Sequence, residues 1–96
     1  MLHLIFTTAI DENLCARFSA GDALAFLENS VLILLKQGKL QPLMTRLQSQ
    51  HNVYVLGNDL NARGIHHTEL VSGIHIIDYP QLVQLSLTHS LIQSWT

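Results

Sequence analysis

Four short apolar runs, each of strand length, recur along this chain of 96 residues and constrain its fold more than any other feature. They occupy residues 2–6, 23–27, 53–56 and 74–77. Runs that are apolar on both faces are typical of strands buried in a parallel sheet with helices on either side. The segments between the runs are long enough for the crossover connections that parallel strands need. The spacing therefore predicts one α/β domain over residues 1–96, with a mainly parallel sheet.

Capping and turn residues place the helices between these strands. Asp11-Glu12-Asn13 suits a helix N-terminus, and Pro42 suits the first turn of another helix. We predict helices over residues 14–20, 31–35, 42–50 and about 58–64. Residues 66–72 are then a connector, and Asp78 with Pro80 begins a last helix.

The last segment is unusual because residues 79–96 contain no charged side chain. At helical spacing its apolar residues form two adjacent stripes: Val83, Leu87, Leu91 and Trp95 in one, and Leu82, Leu85, His89 and Ile92 in the other. A helix with so wide an apolar face usually packs on more than one side. The whole chain has only 12% charged residues, whereas about 25% is usual for a soluble domain. We therefore expect a helix over residues 79–96 that is partly buried against another subunit; the alternative is a core helix buried by its own chain.

Charge and hydropathy exclude two classes of function. The net charge is −2 and the five basic residues are scattered, which argues against direct binding of nucleic acid. No apolar run approaches the ~18 residues of a membrane span. The N-terminal residues lack a cationic region ahead of the apolar run, so we expect no cleaved signal and a soluble, cytoplasmic chain.

Cys15 is the only candidate nucleophile, and a single cysteine fits a reducing compartment. A position at the start of a helix lowers a thiol pKa, whereas the neighbouring Asp11 and Glu12 raise it. A lone cysteine between Leu14 and Ala16 is more typical of a small core residue. The pattern thus favours packing over catalysis.

No motif predicts a cofactor or a metal. The neighbours His66 and His67 lack the i, i+4 spacing of two helical ligands. Gly38-Lys39 is not followed by Ser or Thr, so it is not a phosphate-binding loop. Asp59 and Arg63 are spaced for a helical ion pair; the alternative is that Arg63 reaches a neighbouring subunit.

Segments along nearly the whole chain, in order, resemble the DsrH/TusB family. They are Met1-Leu2-His3, Gly21-Asp22-Ala23-Leu24, Val53-Tyr54-Val55-Leu56, Asp59-Leu60-Asn61-Ala62-Arg63-Gly64-Ile65, Ile77-Asp78-Tyr79, Val83-Gln84-Leu85 and the ending from His89-Ser90 to Trp95. The Asp-Leu-x-Ala-Arg-Gly segment, Ile-Asp-Tyr and the terminal Trp together are the most specific part.

The resemblance implies a small flavodoxin-like, three-layer α/β subunit with a four- or five-stranded sheet. It also implies a non-catalytic role in a TusBCD-like heterohexamer with TusC-like and TusD-like subunits. Such a complex passes persulfide sulfur between TusA-like and TusE-like carriers for 2-thiouridine formation at the tRNA wobble position. Two alternatives remain: a DsrH-like subunit in dissimilatory sulfur oxidation, or a persulfide carrier using Cys15, since some members have a cysteine on the first helix.

The candidate interface residues are therefore Arg63, Val83, Leu87, Leu91 and Trp95. We predict no catalytic, cofactor-binding or metal-binding residue, apart from the lesser candidate Cys15.

Overall fold

Strand β2 lies at the centre of the fold because all four of its residues are apolar and buried. A computed structural model describes all residues, 1–96. Its five strands are β1 (Leu2–Ile5), β2 (Ala23–Phe26), β3 (Asn52–Leu56), β4 (His75–Ile77) and β5 (Ile92–Trp95). They form one sheet in the order β4-β3-β2-β1-β5, and every neighbouring pair is parallel. The predicted α/β class is confirmed, and the sheet has five strands where four or five were expected.

The helices are α1 (Glu12–Cys15), α2 (Gln41–Gln50), α3 (Gly57–Ala62) and α4 (Tyr79–Thr88). Two 3-10 segments, Glu28–Leu34 and His67–Glu69, complete the connections. No helix combines the length and apolar character needed to cross a membrane.

Two of the helices predicted between β1 and α2 differ from the observed segments. The helix expected over residues 14–20 is a single turn that Asp11 caps by accepting the Leu14 N–H at 2.9 Å. It ends early because the N–H groups of Arg17 and Phe18 bond carbonyls three residues back, which tightens the chain into a turn. The helix expected over residues 31–35 is a 3-10 segment that begins at Glu28.

The two faces of the sheet are covered to different extents. On the first face, a cluster of 13 buried residues is built around Ile5, Phe26 and Val55 and includes Met44 and Leu47 of α2. On the second face, the buried cluster is only Leu2, Ala23 and Ala25, against which Leu82 and Leu85 of α4 pack. Helix α4 itself has no fully buried residue.

The prediction of one helix over residues 79–96 is wrong in its second half. The N-terminus is as expected, since Asp78 accepts the Gln81 N–H at 2.8 Å and Pro80 lies in the first turn. The helix ends at Thr88, and the chain turns back to form β5 beside β1. In this position the backbone of β5 forms hydrogen bonds with the edge of β1. A longer helix would leave that edge of β1 without a partner. Leu91 and Trp95 therefore do not continue the helical stripe of Val83 and Leu87.

Candidate functional site

The outer side of α4 and the start of β5 form an exposed apolar surface. Its members are spaced i, i+4 along α4 or lie just beyond its end: Tyr79, Val83, Leu87, Leu91 and Ile92. We call these five residues the α4–β5 surface. The three members on α4 are exposed because Leu82 and Leu85 occupy the inner side of that helix.

This surface is strongly exposed and uncharged. Relative accessibility is 57% for Val83, 74% for Leu87 and 61% for Leu91. No Asp, Glu, Lys or Arg lies anywhere between residues 79 and 96. Scattered exposed apolar residues are ordinary, but a contiguous group of large ones is typical of an interaction site. Three of the predicted interface residues, Val83, Leu87 and Leu91, thus come together on this surface.

Beside α4, part of the second sheet face is also uncovered. An open groove of about 270 Å³ lies over β3 and β4, lined by Tyr54, Ile77, Gln81, Gln84, Leu85 and Thr88. A single helix is too narrow to cover five strands, so this face is left incomplete by its own chain.

Trp95, the fourth residue of the predicted stripe, lies elsewhere. It belongs to β5 and packs against the first-face cluster. Its indole Nε1–H donates to Nδ1 of His3 at 3.0 Å, and the guanidinium of Arg17 lies 5.6 Å from the ring centroid. Trp95 is therefore an anchor of β5 within the chain.

His3 and Asp22 form a buried polar pair that the sequence did not reveal. His3 is 1% exposed, and its Nε2 lies 2.7 Å from Oδ2 of Asp22. Burial by itself raises the pKa of Asp22, but hydrogen bonds from the His3 ring and the Ser19 N–H outweigh it and hold that pKa well below its usual range. His3 is the one polar residue in the first apolar run, and this position was the only available signal.

The surroundings of Cys15 do not activate a thiol. Burial, and next the Glu12 carboxylate, raise the pKa of Cys15, and the Arg46 guanidinium offsets this only in part. The Arg46 guanidinium also bonds Glu12: its Nη2 donates to the two carboxylate oxygens of Glu12 at 2.9 and 2.8 Å. Cys15 and His51 both line an open cleft of about 330 Å³. A raised pKa leaves little thiolate, which is the reactive form.

Arg63 is held within its own chain. Its Nε and Nη2 donate to Oδ1 of Asn29 at 3.2 and 2.8 Å, and its Nη1 lies 3.7 Å from Oδ1 of Asp59. Asp59 also accepts the N–H of Glu28, a residue with φ of +56°. The expected ion pair is present, and the motif residues Asp59 and Arg63 hold the turn after β2.

The two adjacent histidines form a local contact and no metal cluster. The rings of His66 and His67 lie 4.3 Å apart, and His66 bonds Thr68 two residues later. No group of three or more His, Cys, Asp or Glu side chains is arranged to hold a metal ion.

Comparison with known proteins gives a family match over most of the chain. The family model described as "DsrH like protein" matches residues 6–91. Protein TusB of Pectobacterium parmentieri is 32% identical over 99 aligned positions, which cover 99% of this chain and all of that protein. The crystal structure of the ychN protein from E. coli superimposes with a TM-score of 0.77 over 98% of this chain and 97% of that one. At 15% identity this last likeness concerns the fold alone.

Proposed function

Since this chain belongs to the DsrH family, which supports a role as a sulfur-relay subunit, we propose that it is a non-catalytic subunit of a TusBCD-like heterohexamer. The complex has two copies each of three related chains, and TusC-like and TusD-like subunits are the direct partners. It passes persulfide sulfur from TusA-like to TusE-like carriers in the cytoplasm, and the product is 2-thiouridine at the tRNA wobble position. This chain contacts neither nucleic acid nor membrane.

The α4–β5 surface carries the proposal. Burying an exposed Leu or Val side chain removes apolar area from water, worth roughly 25 cal/mol per Å². A partner that covers Val83, Leu87 and Leu91 gains this without desolvating a charge, because the surface has none. A subunit interface therefore accounts for the low charge of the chain and for the helix without buried residues.

The test is assembly with a substituted surface. Leu87→Asp and Val83→Asp place a charge where the partner would cover it, and we expect loss of co-purification with the TusC-like and TusD-like subunits. Both side chains are more than half exposed, so the isolated chain should keep its stability. Native mass spectrometry of the tagged complex should show the heterohexamer for the parent and free subunit for the variants.

Leu32→Asp provides the matched control. Leu32 is another exposed leucine, at 43%, on the 3-10 segment after β2 and outside the α4–β5 surface. This variant should still assemble. Assembly that survives both surface substitutions would contradict the proposal. Trp95 is unsuitable for this test because its substitution would also disrupt the contact with His3.

Two alternatives are separated by other measurements. In a cell that depends on this chain, Cys15→Ser should leave the amount of 2-thiouridine in tRNA unchanged; a large decrease would favour the persulfide-carrier role. A DsrH-like subunit of dissimilatory sulfur oxidation would co-purify with partners from that pathway and would not affect tRNA thiolation.

A further inference from the structure

Strand β5 depends on one side chain for its attachment to the core. It is an edge strand, and Ile92, Gln93 and Ser94 are exposed. Trp95 alone is partly buried, and its indole group contacts His3 on the neighbouring strand β1. The carbonyl of Trp95 also accepts the N–H of Phe6 at 2.8 Å, so this residue fixes the end of the strand.

The hydrogen bond to Trp95 determines the protonation state of His3. An indole N–H can only donate, so Nδ1 of His3 must accept and carries no proton. The ring proton is therefore on Nε2, from which it is donated to Oδ2 of Asp22 at 2.7 Å. His3 is neutral whenever both contacts are made.

Adding a proton at Nδ1 is incompatible with this arrangement. Two N–H donors would then face each other across 3.0 Å, and Trp95 would lose its acceptor. The bond between Nε2–H and Asp22 would persist and become charge-assisted. Protonation thus strengthens one contact of His3 and breaks the other.

We propose that His3 is an acid-sensitive latch for β5: proton uptake from solvent at Nδ1 releases Trp95 and loosens the strand that completes the α4–β5 surface. The neutral ring adds the Trp95 contact to the backbone pairing that joins β5 to β1. Only the consequence for partner binding rests on the proposed function, because the latch itself belongs to the single chain.

The charged groups around this network act in opposite directions. The Asp22 carboxylate favours the added proton. The amino group of Met1, 3.1 Å from Oδ1 of Asp22, and the Arg17 guanidinium over Trp95 oppose it. His51 contacts the ring of Phe18, which in turn contacts His3, and its Nδ1 lies 3.2 Å from the Asp22 carbonyl oxygen.

Solution NMR of the full chain tests the latch without a substitution. Ring 15N shifts distinguish the two tautomers of His3, and Trp95 is the single tryptophan, so its indole signal is unambiguous. Near pH 8 we expect the Nε2–H tautomer and a slowly exchanging indole proton. As the pH is lowered, indole exchange should accelerate with the same midpoint as His3 protonation. Three results would each overturn the proposal. They are the Nδ1–H tautomer near pH 8, an indole exchange rate that does not change when His3 is protonated, and global unfolding of the chain before His3 is protonated.

Trp95→Phe tests whether the hydrogen bond from Trp95 affects the protonation of His3. It keeps an aromatic ring and removes the N–H that stabilises only neutral His3, so His3 should take up its proton at a higher pH than in the parent. An unchanged midpoint would contradict the latch. His66, which is exposed and has no contact with this network, is the internal control, and its ring signals should be the same in both proteins.

The experiments test the latch and the proposed function independently of each other. The NMR titration uses the chain alone, whereas the assembly test compares Leu87→Asp with the parent at a single pH. A working latch without assembly, or assembly without a latch, would each refute one proposal and leave the other standing.

Discussion

The two faces of the sheet differ in how completely one chain can cover them. The first face has a 13-residue buried cluster under α2, α3 and the 3-10 segment, and the second has three buried residues under α4. Only the first face resembles the core of an independent domain. The difference indicates that most of the stabilising burial lies on one face, whereas the other face leaves apolar side chains in solvent.

Removing a large side chain from the first face should produce the greatest loss of stability. Phe26 is fully buried at the centre of the sheet, so Phe26→Ala leaves a cavity in the main cluster. We expect the free energy of unfolding to fall by about 3–5 kcal/mol, measured by urea denaturation. Phe26→Leu refills part of that volume and should cost much less. A small effect of Phe26→Ala would mean that this face is not the stabilising one.

A buried hydroxyl gives a second, smaller contrast between the faces. Ser30 has no exposed area, and its Oγ lies 2.6 Å from the Ile5 carbonyl oxygen, 2.7 Å from that of Leu27 and 3.0 Å from the Leu27 N–H. Ser30→Ala should lower the free energy of unfolding by about 1–3 kcal/mol, because buried partners lose their hydrogen bond.

Ser86 on α4 is the matched control for Ser30. Its hydroxyl also bonds a backbone carbonyl, that of Val83 at 2.6 Å, but in solvent. Ser86→Ala should change the free energy of unfolding by less than about 0.5 kcal/mol. Equal losses for the two serines would remove the distinction between the faces.

Acid should destabilise the chain through Asp22. The pKa of this carboxyl group is lower in the folded state than the usual ~3.9, so its contribution is complete above that value and is lost as the pH falls below it. Asp22→Asn should therefore lower stability near pH 6 and flatten its decrease at acid pH. Stability measured by denaturant unfolding at several pH values between about 6 and 2 checks this expectation.

Asp78→Asn is the control for this effect of pH. Asp78 is an exposed N-cap of α4, a position at which asparagine serves equally well. Its acid profile should match that of the parent. A parallel change in both variants would mean that the effect is one of overall charge and not of the buried pair.

Strands β1 to β4 were predictable because burial on both faces gives continuous apolar runs. The expected runs over residues 2–6, 23–27, 53–56 and 74–77 agree with these strands to within one residue at each end. The start of α4 was predictable for a local reason as well, since Asp78 and Pro80 are strong N-terminal signals.

Strand β5 was missed because its residues also fit a helix. Leu91 and Trp95 continue the i, i+4 spacing of Val83 and Leu87, and nothing local reveals the open edge of β1 that pairs with them. The contact of Trp95 with His3 spans 92 positions, so it follows from the topology and not from any nearby pattern. Of the predicted stripe, Val83 and Leu87 share the outer side of α4 and Leu91 and Trp95 lie beyond the helix, whereas the buried pair of His3 and Asp22 required the structure.

The smallest expected effect is the one that most sharply divides the two faces. Leu87→Ala removes a leucine side chain, as drastic a truncation as many core substitutions, yet Leu87 is 74% exposed. Alanine is also at least as good a helix former as leucine, so the isolated chain should change its free energy of unfolding by less than about 0.5 kcal/mol. The measurement is urea denaturation. A loss of about 2 kcal/mol or more is the cost of a core truncation, and it would show that this side chain is already covered in solution. If that loss disappeared on dilution, a second copy of the chain would be covering α4, and the surface would belong to a homodimer instead of a complex with other subunits.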